Sequence, residues 1–282
     1  MSIFENLKQP YFIAEIGINH NGDMQLCKRL LDAVFATGWD CAKFQKRTPA
    51  LAVPEHQKSV MRDTPWGRMT YLDYKYKIEF EKEQYDFIDE YCAKKPVPWT
   101  ASVWDMPSLE FLLKYKVPFI KIPSAHLTNL ELVAEAAASR VPLVISTGMS
   151  TWEEVDATVN VILKKGVKPV IMHTNSSYPT PRAELNLSLI PALQKRYGCV
   201  VGYSGHEPDL EPTVLAVSLG AKVVERHVTL DHELWGTDQK SSLSITGMDV
   251  LLKRVRDMNL MMGTPDKFVT ASEVDIRKKL RG

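Results

Sequence analysis

Eight short runs rich in β-branched residues alternate with amphipathic segments along most of the chain. In the segments between them, apolar residues recur at spacings of three and four, which is typical of helices with one buried face. This alternation predicts a parallel sheet whose strands are joined by helices. The predicted strands are 11–17, 39–45, 99–104, 119–124, 142–147, 169–174, 199–205 and 222–229.

The length of the repeat favours a closed barrel over an open sheet. The chain has 282 residues, and eight units of about 35 residues each are close to the size of one βα unit in a barrel of about 250 residues. A doubly wound open sheet would place a GxGxxG turn after its first strand, whereas GINHNG follows here. We therefore predict an α/β fold in which residues 1–282 form a single (β/α)8 TIM barrel.

One interval breaks the alternation. Residues 46–81 show no clear strand, contain three prolines and include the aromatic and charged stretch WGRMTYLDYKYK. We expect a long, ordered loop after strand 2, because long excursions in compact domains are usually functional or disordered and this one is rich in aromatic residues. A short charged helix is expected at about 270–282. The other predicted helices include 24–37, 82–94, 128–138, 151–164, 209–218 and 247–261.

Composition excludes several classes of protein. Lys and Arg number 35 and Asp and Glu 34, which gives a net charge of +1 and argues against a basic nucleic-acid-binding protein. No window approaches the roughly 18 to 20 apolar residues of a membrane span, and the first residues lack a signal-peptide pattern. The four cysteines form no CxxC pair. We expect a cytoplasmic protein with neither nucleic acid nor membrane as partner.

Polar residues gather where the predicted strands end. Active groups of a barrel lie at these carboxyl ends, because the strand bodies form packed core. Lys43 and Lys121 on separate strands, with serines and threonines around them, suit a small phosphorylated acid, since ammonium groups supply charge and hydroxyls supply hydrogen bonds. The alternative is a structural ion network in which these lysines pair with Glu15 and Glu225.

Two histidines end adjacent predicted strands. His206 and His227 are candidate ligands of a divalent ion, with carboxylates or water completing the coordination shell. The alternative is that both are ordinary buried histidines, as we expect for His20, His126 and His173. HxH, HExxH and GxSxG patterns are absent from the sequence, so zinc hydrolases and serine hydrolases gain no support.

The strings AEIGINHNGD, AKFQ, KIPSA, ISTGM, SSYPTP, GYSGH, ERHVT and WGTDQKSSLS occur in this order over residues 10–245. In this respect the chain resembles the sialic acid synthase family. The resemblance implies condensation of phosphoenolpyruvate with a sugar aldehyde to give a nonulosonic acid, on a (β/α)8 barrel. It also implies a homodimer and a divalent metal, usually Mn²⁺, with Mg²⁺ or Co²⁺ as alternatives.

The resemblance also implies roles for particular residues. His206 and His227 would bind the metal, and Glu15 and Glu225 are both candidates for the key proton transfer. Gln45, Tyr178 and Asp238 fall where family members contact the acceptor sugar. The residues implied for phosphoenolpyruvate are Lys43, Ser102, Lys121, Ser124, Ser146 and Ser204.

Three departures from the family pattern leave the acceptor open. The order of residues 174–178 is Thr-Asn-Ser-Ser-Tyr, so Asn175 and Ser176 are both candidates for the phosphate contact. The loop after strand 2 lacks the family's acceptor-binding Asn, and Arg68 is our candidate for a different specificity there. Because the sequence stops at Gly282, we expect a short form of the family that lacks its C-terminal antifreeze-like domain. We therefore expect an aldose or amino-sugar aldehyde of unspecified kind.

Two other functions remain open at this point. A barrel aldolase would form a Schiff base through Lys43 or Lys121, since a buried lysine can become nucleophilic. A catalytically idle sensor would bind a sugar phosphate without turning it over.

Overall fold

Eight parallel strands close into a barrel in the computed structural model, which describes residues 2–281. Each barrel strand pairs with the next along the chain, and the last pairs with the first, with Tyr11 opposite Val223. This confirms the predicted α/β barrel. The strands are β1 (Tyr11–Gly17), β2 (Cys41–Lys46), β5 (Trp99–Val103), β6 (Ile120–Ile122), β7 (Leu143–Ser146), β8 (Val170–Thr174), β9 (Val201–Gly205) and β10 (Val223–His227).

A helix follows every barrel strand and covers the outside of the sheet. Six of these helices are predicted from apolar periodicity; the two short helices Met106–Leu112 and Leu189–Tyr197 are not. Asp105 caps the first of these two, because its side chain accepts a hydrogen bond from the Ser108 amide at 2.8 Å. The helices are α1 (Met24–Thr37), α5 (Lys82–Lys94), α6 (Met106–Leu112), α7 (Leu130–Ala138), α8 (Trp152–Lys164), α9 (Leu189–Tyr197), α10 (Glu211–Ser218) and α11 (Ile245–Met262).

The excursion after β2 is ordered, but the expectation that it holds no strand is wrong. It contains an antiparallel hairpin, β3 (Met61–Thr64) and β4 (Gly67–Thr70). Both strands are largely exposed and polar, so they lack the apolar alternation that marks a strand in sequence. The remaining elements are the helices α2 (Pro49–Ala52), α3 (Glu55–Lys58) and α4 (Tyr71–Ile78).

Aromatic contacts fix this excursion to the barrel. Tyr74 of α4 packs edge-on against Trp235, with the ring centroids 5.1 Å apart, and Trp66 approaches the same indole at 5.7 Å. Trp235 lies in the loop after β10, at the carboxyl end of the barrel. The excursion is therefore held over that end of the barrel.

The interior of the barrel is apolar at its amino end and charged at its carboxyl end. Successive side chains of a strand point to opposite faces, so Phe12 and Ala14 face the helices while Ile13 and Glu15 face inward. At the amino end, Phe4 packs among the inward-facing apolar side chains, and its ring centroid lies 5.3 Å from that of Phe119. The apolar side chains thus close the amino end and leave charged ones at the carboxyl end.

The outward face of β10 holds a fully buried ion pair. Arg226 and Glu207 are both 0 % exposed, and a guanidinium nitrogen lies 3.1 Å from Glu207 Oε1. Arg226 also donates to the Asp209 carbonyl and the Thr213 hydroxyl, while Tyr203 donates to the other Glu207 oxygen at 2.8 Å. The pair therefore ties the loop after β9 to the neighbouring strand.

Among residues 2–281, no helix is both long enough and apolar enough to cross a lipid bilayer. The last helix of the described residues is α12 (Val274–Arg281), which is charged and exposed. It lies within the range of about 270–282 predicted for a terminal helix.

We predict that Arg226→Met lowers the free energy of unfolding by about 3 to 5 kcal/mol, because it leaves the Glu207 carboxylate buried without its cation. Arg254→Met is the matched control, since it breaks the exposed pair with Glu211 and should change stability by less than about 1 kcal/mol. Urea unfolding followed by circular dichroism measures both. Equal losses in the two variants would contradict the structural role of the buried pair.

Candidate active site

Four charged side chains meet inside the carboxyl end of the barrel. Lys43 Nζ lies 2.6 Å from Glu15 Oε2 and 3.4 Å from Glu225 Oε1, and Lys121 Nζ lies 3.1 Å from the same Glu225 oxygen. All four residues are at most 5 % exposed. The ion network considered from the sequence is therefore present, and it lines a cavity.

The network sets the protonation of its members. Burial opposes ionisation of Glu225, but the attraction of Lys121 and Lys43 outweighs it and lowers the pKa of that carboxyl. Burial also opposes the charge on Lys43, yet Glu15 and Glu225 together raise its pKa. For Lys121 burial prevails, and with repulsion from Lys43 it lowers the pKa of that amine. Glu225 is thus held as an anion between two lysines of unequal basicity.

Hydroxyl groups surround this network in a cavity of about 200 Å³. Ser204 donates to Glu225 Oε1 at 3.3 Å, and Ser124 accepts from the Gly148 amide at 3.0 Å. The Ser146 hydroxyl is buried without a hydrogen-bond partner in the described part of the chain. The serines that line the cavity are Ser102, Ser124, Ser146, Ser176 and Ser204.

Gly148 is a site residue that sequence reasoning missed. A Cβ atom there would lie 2.3 Å from Ser176 Oγ and 2.8 Å from Ser124 Oγ, so only glycine leaves room for both hydroxyls. Its position in the string ISTGM, two residues after Ser146, is the signal that could have indicated it.

Two candidates from the sequence lie outside the serine-lined cavity. The Asn175 side chain donates to the Glu184 carbonyl and accepts from the Ser177 amide, so Ser176, and not Asn175, faces the serine-lined cavity. Arg68 is exposed on β4, where its register partner is Asp63, and it does not line the serine-lined cavity.

His206 and His227 lie side by side, with ring centroids 5.6 Å apart. His206 Nδ1 is 2.6 Å from the Asn175 carbonyl oxygen, and its Nε2 is 2.7 Å from the Tyr178 hydroxyl. His227 Nδ1 is buried without a hydrogen-bond partner among the described residues, 3.7 Å from Asp238 Oδ2. Burial and the neighbouring His227 lower the pKa of His206 to about 3. The neutral imidazole that results is the form that binds metals.

The protein itself supplies few ligands at this pair. Within residues 2–281 there is no cluster of three or more His, Cys, Asp or Glu side chains with the spacing of a metal site. The histidine pair could therefore hold an ion only with coordination positions left to water or substrate.

A second cavity of about 220 Å³ adjoins the first. Gln45, Trp104 and Tyr178 line both, and Gln45 Nε2 donates to Glu15 Oε1 at 2.9 Å. Arg47, Lys75 and Asp238 line only the second. Sequence reasoning missed Arg47 and Lys75, although Arg47 follows Gln45 by two residues and β-strand alternation could have placed it on the same face.

Comparisons with known proteins show which family the sequence matches. Residues 30–267 match the NeuB family. The chain is 38 % identical over 276 residues to N-acetylneuraminate-9-phosphate synthase of Drosophila melanogaster, covering 96 % of this chain and 72 % of the fly protein. It is 30 % identical to N,N'-diacetyllegionaminic acid synthase of Campylobacter jejuni, covering 95 % of this chain and 81 % of that protein.

A solved structure has the same overall fold. The N-acetylneuraminic acid synthetase of Leptospira borgpetersenii, crystallised with citrate, superposes with a TM-score of 0.86 at 28 % identity, covering 97 % of this chain and 93 % of that one. Together with the family match over most of the sequence, these likenesses confirm the predicted resemblance. The chain belongs to the NeuB family.

Proposed function

We propose that the chain condenses phosphoenolpyruvate with an aldose or amino-sugar aldehyde, giving a 3-deoxy-2-keto sugar acid of the nonulosonic type and phosphate. The observation that carries this proposal is the network of Glu15, Lys43, Glu225 and Lys121, which opens into a serine-lined cavity. The names of the fly and Campylobacter relatives, both synthases of such acids, support it.

The first cavity suits a small molecule with a carboxylate and a phosphate. Lys43 and Lys121 offer charge, and the unpartnered Ser146 hydroxyl and the ring of serines offer hydrogen bonds. Because Gly148 has no side chain, the Ser124 and Ser176 hydroxyls can both occupy the space beside it. We infer that phosphoenolpyruvate binds here.

The proposed reaction makes one carbon–carbon bond and breaks one carbon–oxygen bond. C3 of phosphoenolpyruvate adds to the aldehyde carbon, and the aldehyde oxygen takes up a proton. Water adds at C2 and loses a proton, and the tetrahedral intermediate then expels phosphate to leave a ketone. We assign the removal of the water proton to Glu15, which pairs with one lysine, whereas Glu225 lies between two lysines that both oppose its protonation.

The histidine pair fits a divalent metal, most simply Mn²⁺, with Mg²⁺ or Co²⁺ as alternatives. Both imidazoles are buried and adjacent, and His227 Nδ1 has no hydrogen-bond partner in the described structure. When bound, such an ion supplies Lewis-acid polarisation of the aldehyde oxygen. Tyr178 and Asp238 lie beside the two rings and would orient the acceptor there.

We also propose that the protein acts in the cytoplasm. All four cysteines are free thiols, which fits a reducing compartment. The homodimer implied by the resemblance stays a prediction.

Phosphate release from phosphoenolpyruvate tests the reaction. We expect release by the metal-stripped protein only when Mn²⁺ and a suitable aldehyde sugar are both added, with a new 2-keto acid formed in equal amount. Release without a sugar, or none from folded, metal-loaded protein across a broad panel of sugars, would contradict the proposal. Borohydride reduction that attached substrate to Lys43 or Lys121 would instead favour the Schiff-base aldolase.

Replacement of Glu15 tests the assigned base. We expect Glu15→Ala and Glu15→Gln each to lower kcat by about 10² to 10⁴-fold, since neither side chain can take the proton from water. Glu15→Gln keeps the size of the side chain, so its circular dichroism spectrum and Tm should stay close to those of the parent. Near-normal phosphate release by either variant would overturn the assignment.

Metal binding tests the histidine pair independently of turnover. We expect His227→Ala to weaken Mn²⁺ binding at least 10-fold, because it removes one of the two imidazoles, as followed by electron paramagnetic resonance of free Mn²⁺. His126→Ala is the control, since that ring packs against Trp104 outside the pair. Equal affinity in both variants would place the ion elsewhere.

A further inference from the structure

The Tyr178 hydroxyl occupies one ring nitrogen of the histidine pair. It lies 2.7 Å from His206 Nε2, and the phenol ring packs against the His206 imidazole with the ring centroids 4.0 Å apart. The same phenol ring approaches His227 edge-on, with the centroids 5.7 Å apart. Tyr178 therefore lies beside both side chains that we propose as metal ligands.

The other ring nitrogen of His206 fixes the position of the proton. His206 Nδ1 lies 2.6 Å from the Asn175 carbonyl oxygen, which can only accept a hydrogen bond, so Nδ1 carries the proton of the neutral ring. Nε2 then carries the lone pair, and the Tyr178 hydroxyl donates to it. A histidine that binds a metal commonly donates its other N–H group to a carbonyl in this way. Nε2 is thus the nitrogen that His206 offers to a metal, and Tyr178 covers it.

The lone pair of His206 cannot serve two partners. Nε2 of a neutral imidazole has one lone pair, which either accepts a hydrogen bond or binds a metal ion. For His206 to bind an ion, the Tyr178 hydroxyl must therefore leave Nε2. His227 differs, because its Nδ1 atom has no hydrogen-bond partner among residues 2–281.

The loop that carries Tyr178 permits this movement in the side chain. Asn175 Oδ1 accepts from the Ser177 amide at 2.9 Å, and the Thr180 hydroxyl donates to the Ser177 carbonyl at 2.9 Å, so the backbone beside Tyr178 is held. Tyr178 itself is 46 % exposed and lines both cavities. Rotation of the phenol about its own side-chain bonds can therefore uncover Nε2 while the loop stays in place.

We propose that Tyr178 is a displaceable cap on His206, so that a divalent ion binds the histidine pair only as the hydroxyl leaves Nε2. This proposal rests on the metal site of the proposed function. The cap supplies a hydrogen bond to the buried His206 while no ion is bound, because an unpartnered buried nitrogen costs free energy. The displaced hydroxyl is then free to hydrogen-bond a ligand in the second cavity, which Tyr178 already lines. Binding of the ion thus prepares that cavity for the acceptor.

The affinity for Mn²⁺ tests the competition. We expect Tyr178→Phe, which keeps the ring and removes the hydroxyl, to bind Mn²⁺ about 3 to 10-fold more tightly than the parent, since the ion no longer displaces a hydrogen bond. Electron paramagnetic resonance of free Mn²⁺ measures both proteins. Equal affinity would overturn the proposal. Weaker binding by the variant would also overturn it, because the hydroxyl would then be a ligand of the ion.

Tyr71→Phe is the matched control. Tyr71 also lines the second cavity, but it does not line the serine-lined cavity to which the two histidines belong. This variant should bind Mn²⁺ with the affinity of the parent. A gain in affinity as large as that of Tyr178→Phe would contradict a specific role for the Tyr178 hydroxyl.

Ultraviolet difference absorption reports on the hydroxyl itself. The near-ultraviolet absorption of a phenol depends on its hydrogen bonding, so Mn²⁺ should produce a tyrosine difference band in the parent and in Tyr71→Phe, and none in Tyr178→Phe. A purely structural role of Tyr178 would not produce this band. A band of equal size in Tyr178→Phe, or none in the parent at saturating Mn²⁺, would contradict the displacement.

The outcomes separate this inference from the proposed function. Equal Mn²⁺ binding by the parent and Tyr178→Phe keeps the metal site and removes the cap, whereas no binding by either protein removes both. Neither measurement needs phosphoenolpyruvate or a sugar, so the phosphate-release assay succeeds or fails independently of them.

Discussion

The attraction among four buried charges is the constraint on which the site depends. An unpaired lysine or glutamate inside a barrel would lose several kcal/mol of solvation, so Glu15, Lys43, Lys121 and Glu225 are tolerated because each has an oppositely charged neighbour within 3.4 Å. They come from four different strands, and closure of the barrel is what brings them together. The apolar amino end supplies the packing that the charged end cannot.

The alternation of side chains along β10 places neighbouring residues in different environments. Glu225 and His227 are two residues apart and face inward, toward the cavity, whereas Arg226 between them faces outward and joins Glu207. The same five-residue strand therefore carries two residues that line the cavity and the arginine whose ion pair holds the loop bearing His206. Residues that line the cavity thus alternate along β10 with a residue that stabilises the surrounding structure.

The sequence predicted the barrel and the inward-facing ends of its strands, because apolar periodicity fixes both where strands lie and which residues share a face. It did not predict the hairpin Met61–Thr64 and Gly67–Thr70, whose exposed residues have no apolar phase. It named Arg68, which is exposed, and missed Lys75, which lines the second cavity from the helix whose Tyr74 packs against Trp235. It could not decide whether Asn175 or Ser176 faces the serine-lined cavity. Local hydrogen bonds, which residue spacing does not reveal, direct the Asn175 side chain away from that cavity.

The border between the two cavities has a consequence for how such an enzyme can diversify. The Gln45 side chain lines both cavities and its amide donates to Glu15, so a change at Gln45 alters the shape of both cavities and the orientation of the Glu15 carboxylate together. Arg47 and Lys75 have no such bond, and Lys75 lies on a segment inserted between two barrel units. The lining of the second cavity can therefore change through substitutions in the insertion without any change to the four buried charges of the barrel.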